Sequence, residues 1–337
     1  MTTSETILLA HGGGGQLSED LIRAEILPRF PSRELARLAD GAVLDVPGGG
    51  RLAMTTDGYV VRPLFFQGGD IGRLAISGTV NDLLMCGARP LAISLGIIVR
   101  DGFPLGDFRR ILDSVAATAR EAGVDVVTGD TKTVGRDAAD GIFLTTAGIG
   151  AVPAGRVLDY AAARDGDAVL VSGTLGDHGV AVMAEREGLG FKTPVASDAA
   201  PLVELVAALL AAAPGTRCLK DPTRGGLAVA LNEIARASRH TIVLEESLVP
   251  VRPAVAGACD LLGLDVLTVA NEGKVVAIVP AAEAEAALAA VRASRYGQDA
   301  AIVGHVESGR PHVIGRSALG GQRIIDMPYG EELPRIC

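Results

Sequence analysis

The sequence predicts an α/β (α+β) protein built as two domains. Three observations carry that expectation. Apolar runs with strand spacing alternate with runs of helical spacing, in a similar order (paired strands, helix, strand, helix, strand) in the two halves. Between the halves, Pro153 to Asp167 is rich in turn residues. With 337 residues, 48% apolar but only 3% aromatic and no Trp, the chain can fill two cores with Ala, Val, Leu and Ile. The expected division is a glycine-rich N-terminal segment with helices (1–40), a first domain (41–153), a second (154–320) and a mobile tail (321–337).

The formal charge of −9 argues against nucleic acid or an anionic membrane as partner, since either needs a basic face. The longest Ala/Leu-rich run, Pro201 to Ala213, carries Glu204 and is too short to span a bilayer. The expectation is a soluble cytoplasmic protein. Its four cysteines, Cys86, Cys218, Cys259 and Cys337, contain no C-x-x-C pair. Cys86 and Cys259 lie in apolar helix-like runs and read as small core residues.

In chain order, a short apolar strand Ile7 to Ala10 precedes His11-Gly-Gly-Gly-Gly-Gln16 and a helical pattern through Ile26. Gly13 and Gly14 can bring backbone N–H groups against phosphate, but the P-loop Gly-Lys-Ser/Thr ending is missing and a flexible linker fits as well. Strands are expected over Ala42 to Val46 and Arg51 to Val61, then a helix Asp70 to Met85, strand Leu91 to Val99, helix Leu105 to Ala122, and strands Val124 to Thr128 and Ile142 to Val152. The second half opens on strand Ala168 to Val171 and the turn Ser172 to Gly179. Helices follow over Ser197 to Ala213 and after Asp221-Pro-Thr-Arg-Gly-Gly226, where Asp, Pro and Thr are helix-start signals. Strand His240 to Leu244, helix Ala254 to Leu262, strands Val266 to Val269 and Val275 to Val279, helix Ala281 to Ala293 and strands near Ile302, Val313 and Ile324 complete the reading.

Asp57, Asp82 and Asp130 are each expected at the end of an element, two of them beside glycine. One such acid is an ordinary turn or cap residue. Three together point to a shared Mg²⁺–phosphate site, because Mg²⁺ is held by a few carboxylates plus substrate phosphates. The last stretch, Met327 to Cys337, carries two prolines and no helical pattern, which puts a cysteine on an extended arm. On composition alone it reads as a frayed end.

The motifs Thr55-Thr-Asp-Gly-Tyr-Val60, Gly69-Asp-Ile-Gly-Arg-Leu-Ala75, Gly78-Thr-Val-Asn-Asp82, Thr128-Gly-Asp-Thr-Lys132, Thr174-Leu-Gly-Asp-His-Gly179, Thr223-Arg-Gly-Gly226, Asn271-Glu-Gly-Lys274 and Leu333-Pro-Arg-Ile-Cys337 span nearly the whole chain. In that order they resemble the hydrogenase-maturation carbamoyl dehydratases, the HypE family, within the PurM/selenophosphate synthetase-like ATP-using superfamily. The resemblance implies a PurM-like N-terminal domain that dimerises through its sheet into a homodimer, a PurM-like C-terminal domain, and ATP with Mg²⁺ between them. It also implies a HypF carbamoyltransferase that loads Cys337 from carbamoyl phosphate, ATP-dependent dehydration of the S-carbamoyl group to S-cyanocysteine, and delivery of cyanide to iron on a HypC–HypD scaffold for [NiFe] hydrogenase.

Carried over by position, Asp57, Asp82 and Asp130 become metal–phosphate residues, and Gly13, Gly14, Asn81, Thr131 and Arg224 nucleotide-site residues. Glu272 becomes the general base, with burial expected to raise its pKa toward neutral. Lys132 would neutralise phosphate or orient the thiocarbamate. His178 fits a second base, an ATP contact or a structural histidine. Arg224 fits a phosphate clamp or a helix-end salt bridge, and Lys274 has the same two readings. A free thiol is only a few per cent thiolate at neutral pH, so activation of Cys337 is expected in the partner's site. Other superfamily synthetases acting on free small molecules fit less well: no cysteine precedes Cys86, and they leave Cys337 without a task. A nucleotide-dependent scaffold using the arm only for docking is the non-enzymatic alternative.

Overall fold

The structure, a computed structural model, describes residues 6–188, 195–330 and 335–337. The N-terminal unit contains α1 (Gln16–Leu21), β1 (Ala42–Asp45), β2 (Arg51–Tyr59), β3 (Phe65–Phe66), β4 (Gly69–Asp70), α2 (Ile71–Met85), β5 (Arg89–Arg100), α3 (Leu105–Ala122), β6 (Asp125–Val134) and β7 (Ile142–Val152). Its main sheet has the order β1-β2-β7-β5-β6, antiparallel except for the parallel β5–β6 pair. The second unit contains β8 (Ala168–Val171), α4 (Asp177–Glu187), α5 (Val203–Ala212), β9 (Cys218–Lys220), α6 (Gly226–Ser238), β10 (Thr241–Glu245), α7 (Pro253–Leu262), β11 (Val276–Val279), α8 (Ala284–Arg292), β12 (Ala301–Glu307), β13 (Val313–Arg316) and β14 (Gln322–Ile324). Its seven-stranded sheet runs β14-β13-β10-β12-β8-β11-β9.

The element pivotal to the site is α2. Asp70 caps it, accepting from the Gly72 and Arg73 N–H groups at 2.8 and 3.0 Å, an interaction whose loss costs about 1 kcal/mol. The helix is buried along nearly its whole length, which explains why its apolar residues are spread round it rather than gathered in one stripe, with Ser77, Thr79 and Asn81 buried among them. One side packs on the first sheet; the other meets the second unit, so Leu74 and Leu84 share one core with Leu202, Leu205 and Leu219. That shared core packs α2 against β9 and α5 of the second unit. α3, by contrast, is amphipathic and stops at Gly123, whose φ of 68° suits glycine.

Several expectations change. The Ile7 to Ala10 run does not form a strand; Leu9–Gly12 is a 3₁₀ turn with exposed side chains, because no neighbouring strand offers it a ladder. Val266–Thr268 is likewise a 3₁₀ turn, nucleated by Asp265 accepting from Leu267 N. The helix expected from Ser197 starts only at Val203, the preceding residues forming an extended wall of the site. β14 and buried Ile325 tie the first residues of the expected tail into the second sheet, and Asn232 Nδ2 donates to Ile325 O at 2.8 Å. Among the described residues no helix is long and apolar enough to cross a membrane.

Candidate active site

Asp57, Asp82 and Glu272 come together at the seam between the two units. Asp57 lies within β2 and Asp82 within α2, not at element ends. Their approach depends on Gly78: a Cβ there would sit 2.3 Å from the Tyr59 hydroxyl, which in turn donates to Asp57 Oδ2 at 3.1 Å. Thr55 Oγ1 donates to Asp82 Oδ2 at 2.7 Å. Burial and the neighbouring charges of Asp57, Asp221 and Asp40 push the Asp82 carboxyl well above the usual range.

Two of those acids were not singled out as site residues from sequence. Asp221 carries helix-start residues behind it, yet α6 begins only at Gly226 with Gly225 as its cap. Asp221 is therefore free to face the cluster, where burial and Asp40 raise its pKa to about 8. Asp40 closes the group from the N-terminal segment, holding Lys220 Nζ at 2.7 Å and the Tyr160 hydroxyl at 2.7 Å. No spacing rule links residues 40 and 220; only the fold does.

Glu272 is 4% exposed and its Oε1 has no hydrogen-bond partner. Burial, then the charges of Asp221, Asp198 and Asp57, hold its carboxyl well above the carboxylate range, with Arg224 opposing. Its backbone is fixed: Glu272 N donates to Asp198 Oδ1 at 3.0 Å, and Asn81 Nδ2 donates to Glu272 O at 3.3 Å. Asn81 also donates to Ala200 O at 3.0 Å and accepts from Leu202 N at 2.9 Å, so in this conformation its amide is a strut between α2 and the wall. Lys274 pairs with Asp198 at 2.9 Å, both buried, which identifies it as part of the same support.

His178 is fully buried and burial lowers its pKa, keeping the ring neutral. Ser197 Oγ lies 2.8 Å from Nδ1 and accepts from Ala199 N at 3.1 Å, so its hydroxyl proton points to Nδ1. Nε2 then carries the proton and donates to Ile336 O at 2.9 Å. Both ring nitrogens are engaged, and Nε2 holds the main chain of the arm. The described end of the arm, residues 335–337, is thus docked rather than frayed, and Leu333 and Pro334 of its motif lie outside the described residues. Ile336 is 2% exposed, and burying such a side chain stabilises the docked state by about 1.5–3 kcal/mol. Cys337 O accepts from Val60 N at 3.2 Å, next to Tyr59.

The glycine loop is packed, not free. Gly14 has φ of 76°, and a Cβ there would lie 2.8 Å from Arg224 Cβ; a Cβ on Gly15 would meet Pro328 O at 2.3 Å. Gly13 is buried, and Arg224 Nη1 donates to Gly12 O at 3.2 Å. The loop therefore lies between the Thr223-Arg-Gly-Gly turn and the start of the arm, and its N–H groups are engaged. Gly13 N donates to Ala10 O at 3.4 Å, Gly14 N to Ser18 Oγ at 2.9 Å and Gln16 N to Pro328 O at 3.0 Å, so meeting a phosphate requires the loop to exchange these bonds.

Asp130, Thr131 and Lys132 do not join this site within one chain. β6 continues through Gly129 to Val134, so Asp130 is mid-strand rather than at a strand end. Its ladder row is Gly58–Thr145–Gly96–Asp130, one residue out of step with Asp57, which puts it on the opposite face. Three strand spacings, about 14 Å, separate β6 from β2. There Asp130 pairs with Lys132 at 2.8 Å and accepts from Thr131 N at 2.9 Å, all exposed. Among the described residues no three His, Cys, Asp or Glu side chains converge as a ready metal cage. Cys218 and Cys259 are buried and Cys86 half-buried, with burial raising the Cys86 thiol to about 12.

The chain matches the N-terminal domain model of AIR synthase related proteins over residues 38–152 and the C-terminal domain model over 164–316. It is 51% identical over 335 residues to the carbamoyl dehydratase HypE of Cupriavidus necator, covering 99% of this chain and 95% of that one. Among solved structures it is similar to HypE in complex with ATP (46% identity, TM-score 0.83, 98% of this chain and 100% of that one). It is also similar to HypE in a HypE–HypF complex (43% identity, TM-score 0.87, 91% and 99%). The chain belongs to the HypE family of carbamoyl dehydratases, enzymes of the PurM-like, AIR synthase related fold.

Proposed function

We propose that the protein uses ATP to dehydrate an S-carbamoyl group on its own Cys337 to S-cyanocysteine, supplying cyanide for the iron of [NiFe] hydrogenase. The observation that carries this reading is the arm itself. It is docked on His178 and Val60, between the Asp57 side of the site and the Asp198–Glu272 side.

Hydroxide is a poor leaving group, so the carbamoyl oxygen must first take a phosphoryl group from ATP. The nitrogen then loses two protons, the carbon–oxygen bond breaks, phosphate departs with that oxygen, and a carbon–nitrogen triple bond forms. Glu272 accepts one of these protons and the departing phosphate carries away the other; a buried carboxylate with a raised pKa is a competent base. His178 holds the Ile336 carbonyl so that Cys337 does not swing away. Arg224 and the loop containing Gly13 and Gly14 would close over the phosphates. The clustered carboxyls of Asp57, Asp82 and Asp221, only partly offset by Lys220, fit a divalent cation. Bound there with phosphate oxygens completing its shell, Mg²⁺ would neutralise charge on the transferring phosphoryl group.

Asp130, Thr131 and Lys132 would reach such a site from a second copy. Leu44, Met54, Ile98 and Ile149 are exposed on the same outer sheet face, an apolar surface suited to covering by a homodimer partner. Loading of Cys337 falls to a HypF carbamoyltransferase, a reading supported by the similarity to HypE of the HypE–HypF complex, and delivery to a HypC–HypD scaffold. A docked thiol and a foreign loading site require the arm to move, which a tethered carrier does at high effective concentration. The test is hydrogenase maturation with Cys337→Ala: loss of active [NiFe] enzyme is expected, and retained maturation would overturn the carrier role.

A further inference from the structure

Cys337 is held by more than the burial of Ile336, and the extra contacts come from residues that the chemistry above does not use. Arg62 N donates to Arg335 O at 3.1 Å and Val60 N to Cys337 O at 3.2 Å, an antiparallel bridge extending the path of β2. Arg335 Nε donates back to Val60 O at 3.0 Å, while its Nη1 pairs with Asp140 in the turn between β6 and β7. From the other unit, Arg186 in the last turn of α4 donates to Arg62 O from Nε at 2.9 Å and from Nη2 at 2.8 Å. The same Nη2 donates to Arg335 O at 2.8 Å. The Arg335 backbone is left-handed, with φ of 55°, a conformation costly for a non-glycine residue and kept where surrounding contacts over-determine it.

We propose that Asp140 and Arg186 form a latch that reads Arg335 and locks the arm into the cleft, making them positioning residues for the reaction of Cys337. The two contribute differently. Asp140 recognises the guanidinium, so it distinguishes Arg335 from an uncharged residue. Arg186 donates to main-chain carbonyls of both Arg62 and Arg335, so one side chain touches the N-terminal unit and the arm. Docking of the arm therefore requires both units in place, and undocking must break contacts to each. Ile336 supplies affinity without register, because an apolar pocket tolerates sliding. The bridge to residues 60–62 and the latch supply the register that sets where the sulfur lies. The consequence for Cys337 rests on the carrier reading above; the locking of the arm does not.

The direct test is the rate at which a small alkylating reagent labels Cys337 in the full-length protein, read by peptide mass and divided by the rate for the same variant in denaturant. Division by the denatured rate removes any change in intrinsic thiol reactivity. Asp140→Ala is expected to raise the ratio about three- to fivefold, the size appropriate to a half-exposed ion pair. Asp140→Arg and Arg186→Gln should raise it about tenfold. The double variant Asp140→Arg/Arg335→Glu should recover part of the loss seen in Asp140→Arg, because it restores the charge pair but not the bond from Arg335 Nε to Val60 O. Melting temperatures confirm that each variant is folded, which is expected for Asp140 because it is exposed. Unchanged ratios in Asp140→Arg and Arg186→Gln, or no recovery in the swap, would overturn the latch. In a second arm, Asp140→Ala protein already carrying the carbamoyl group should dehydrate more slowly at saturating ATP with an unchanged KM for ATP. Altered labelling without any dehydration in wild type would instead reject the carrier reading and leave the latch standing.

Discussion

Two acidic groups in the N-terminal unit carry similar residues and opposite environments. Asp57 faces α2 and Asp82 stands on it in the seam, where burial and the charge of Asp57 raise the pKa of Asp82. Asp130 lies on the outer face of the same sheet, where the Lys132 ammonium beside it lowers its pKa. In sequence the three look alike: an aspartate in a short polar interruption of an apolar run. A one-residue difference in ladder row separates an acid that a cation can stabilise from one that its own lysine already satisfies. The inner group is a site within one chain; the outer group becomes part of a site only if a second chain covers that face.

The largest expected effect breaks the inner group. Glu272→Gln should slow dehydration about 10²- to 10⁴-fold while carbamoylation proceeds, so the carbamoyl form accumulates. Prompt dehydration by this variant would place the base elsewhere. Asp82→Asn and Asp221→Asn should each reduce ATP turnover by about 10²-fold with a raised requirement for Mg²⁺, measured as phosphate release across a metal titration. An unchanged metal dependence in Asp221→Asn would remove that residue from the site.

The outer group is tested by mixing. If Lys132 acts in the partner's site, Lys132→Ala and Glu272→Gln proteins are each inactive as homodimers, but a mixed dimer has one intact site. Mixing equal amounts should then recover about a quarter of wild-type activity. No recovery, despite subunit exchange confirmed by native mass, would confine Lys132 to a role in its own chain. If a second copy covers the outer face, Met54→Lys should weaken that association by placing a charge on it, seen as a concentration-dependent shift in sedimentation.

The smallest effect concerns the arm's clamp. Burial depresses the His178 pKa, so the unfolded chain takes up that proton near about 6.5 before the folded chain does. Its contribution is therefore harmless above that value, becomes destabilising as pH falls through it, and levels off once the folded ring protonates too. The difference in melting temperature between wild type and His178→Gln should shrink from pH 7 to pH 5.5. A constant difference would assign the ring no proton-linked part in stability.

What the sequence made legible follows the same division. Strongly patterned elements such as α3 and β7 fall where their spacing places them, and the acids, glycines and arm of the site are named by short motifs. Burial of α2 on several sides was legible only as the lack of a single apolar stripe. Asp40 and Lys220 were invisible because their pairing joins residues far apart in the chain through the packing of the N-terminal segment on β9. Asp221 was hidden behind helix-start residues whose helix begins five positions later. His178 could be flagged as functional from its motif, but its task depended on the arm reaching Nε2.

The central claim is that the seam dehydrates what its own arm carries. The measurement is the mass of the peptide ending in Cys337 after incubation with HypF carbamoyltransferase, carbamoyl phosphate and ATP. The account predicts a carbamoyl adduct that loses one water when hydrolysable ATP is present, and an adduct that persists when a non-hydrolysable analogue replaces ATP after loading. A Cys337 peptide that stays unmodified under both conditions, or an adduct that loses water without ATP hydrolysis, would contradict it.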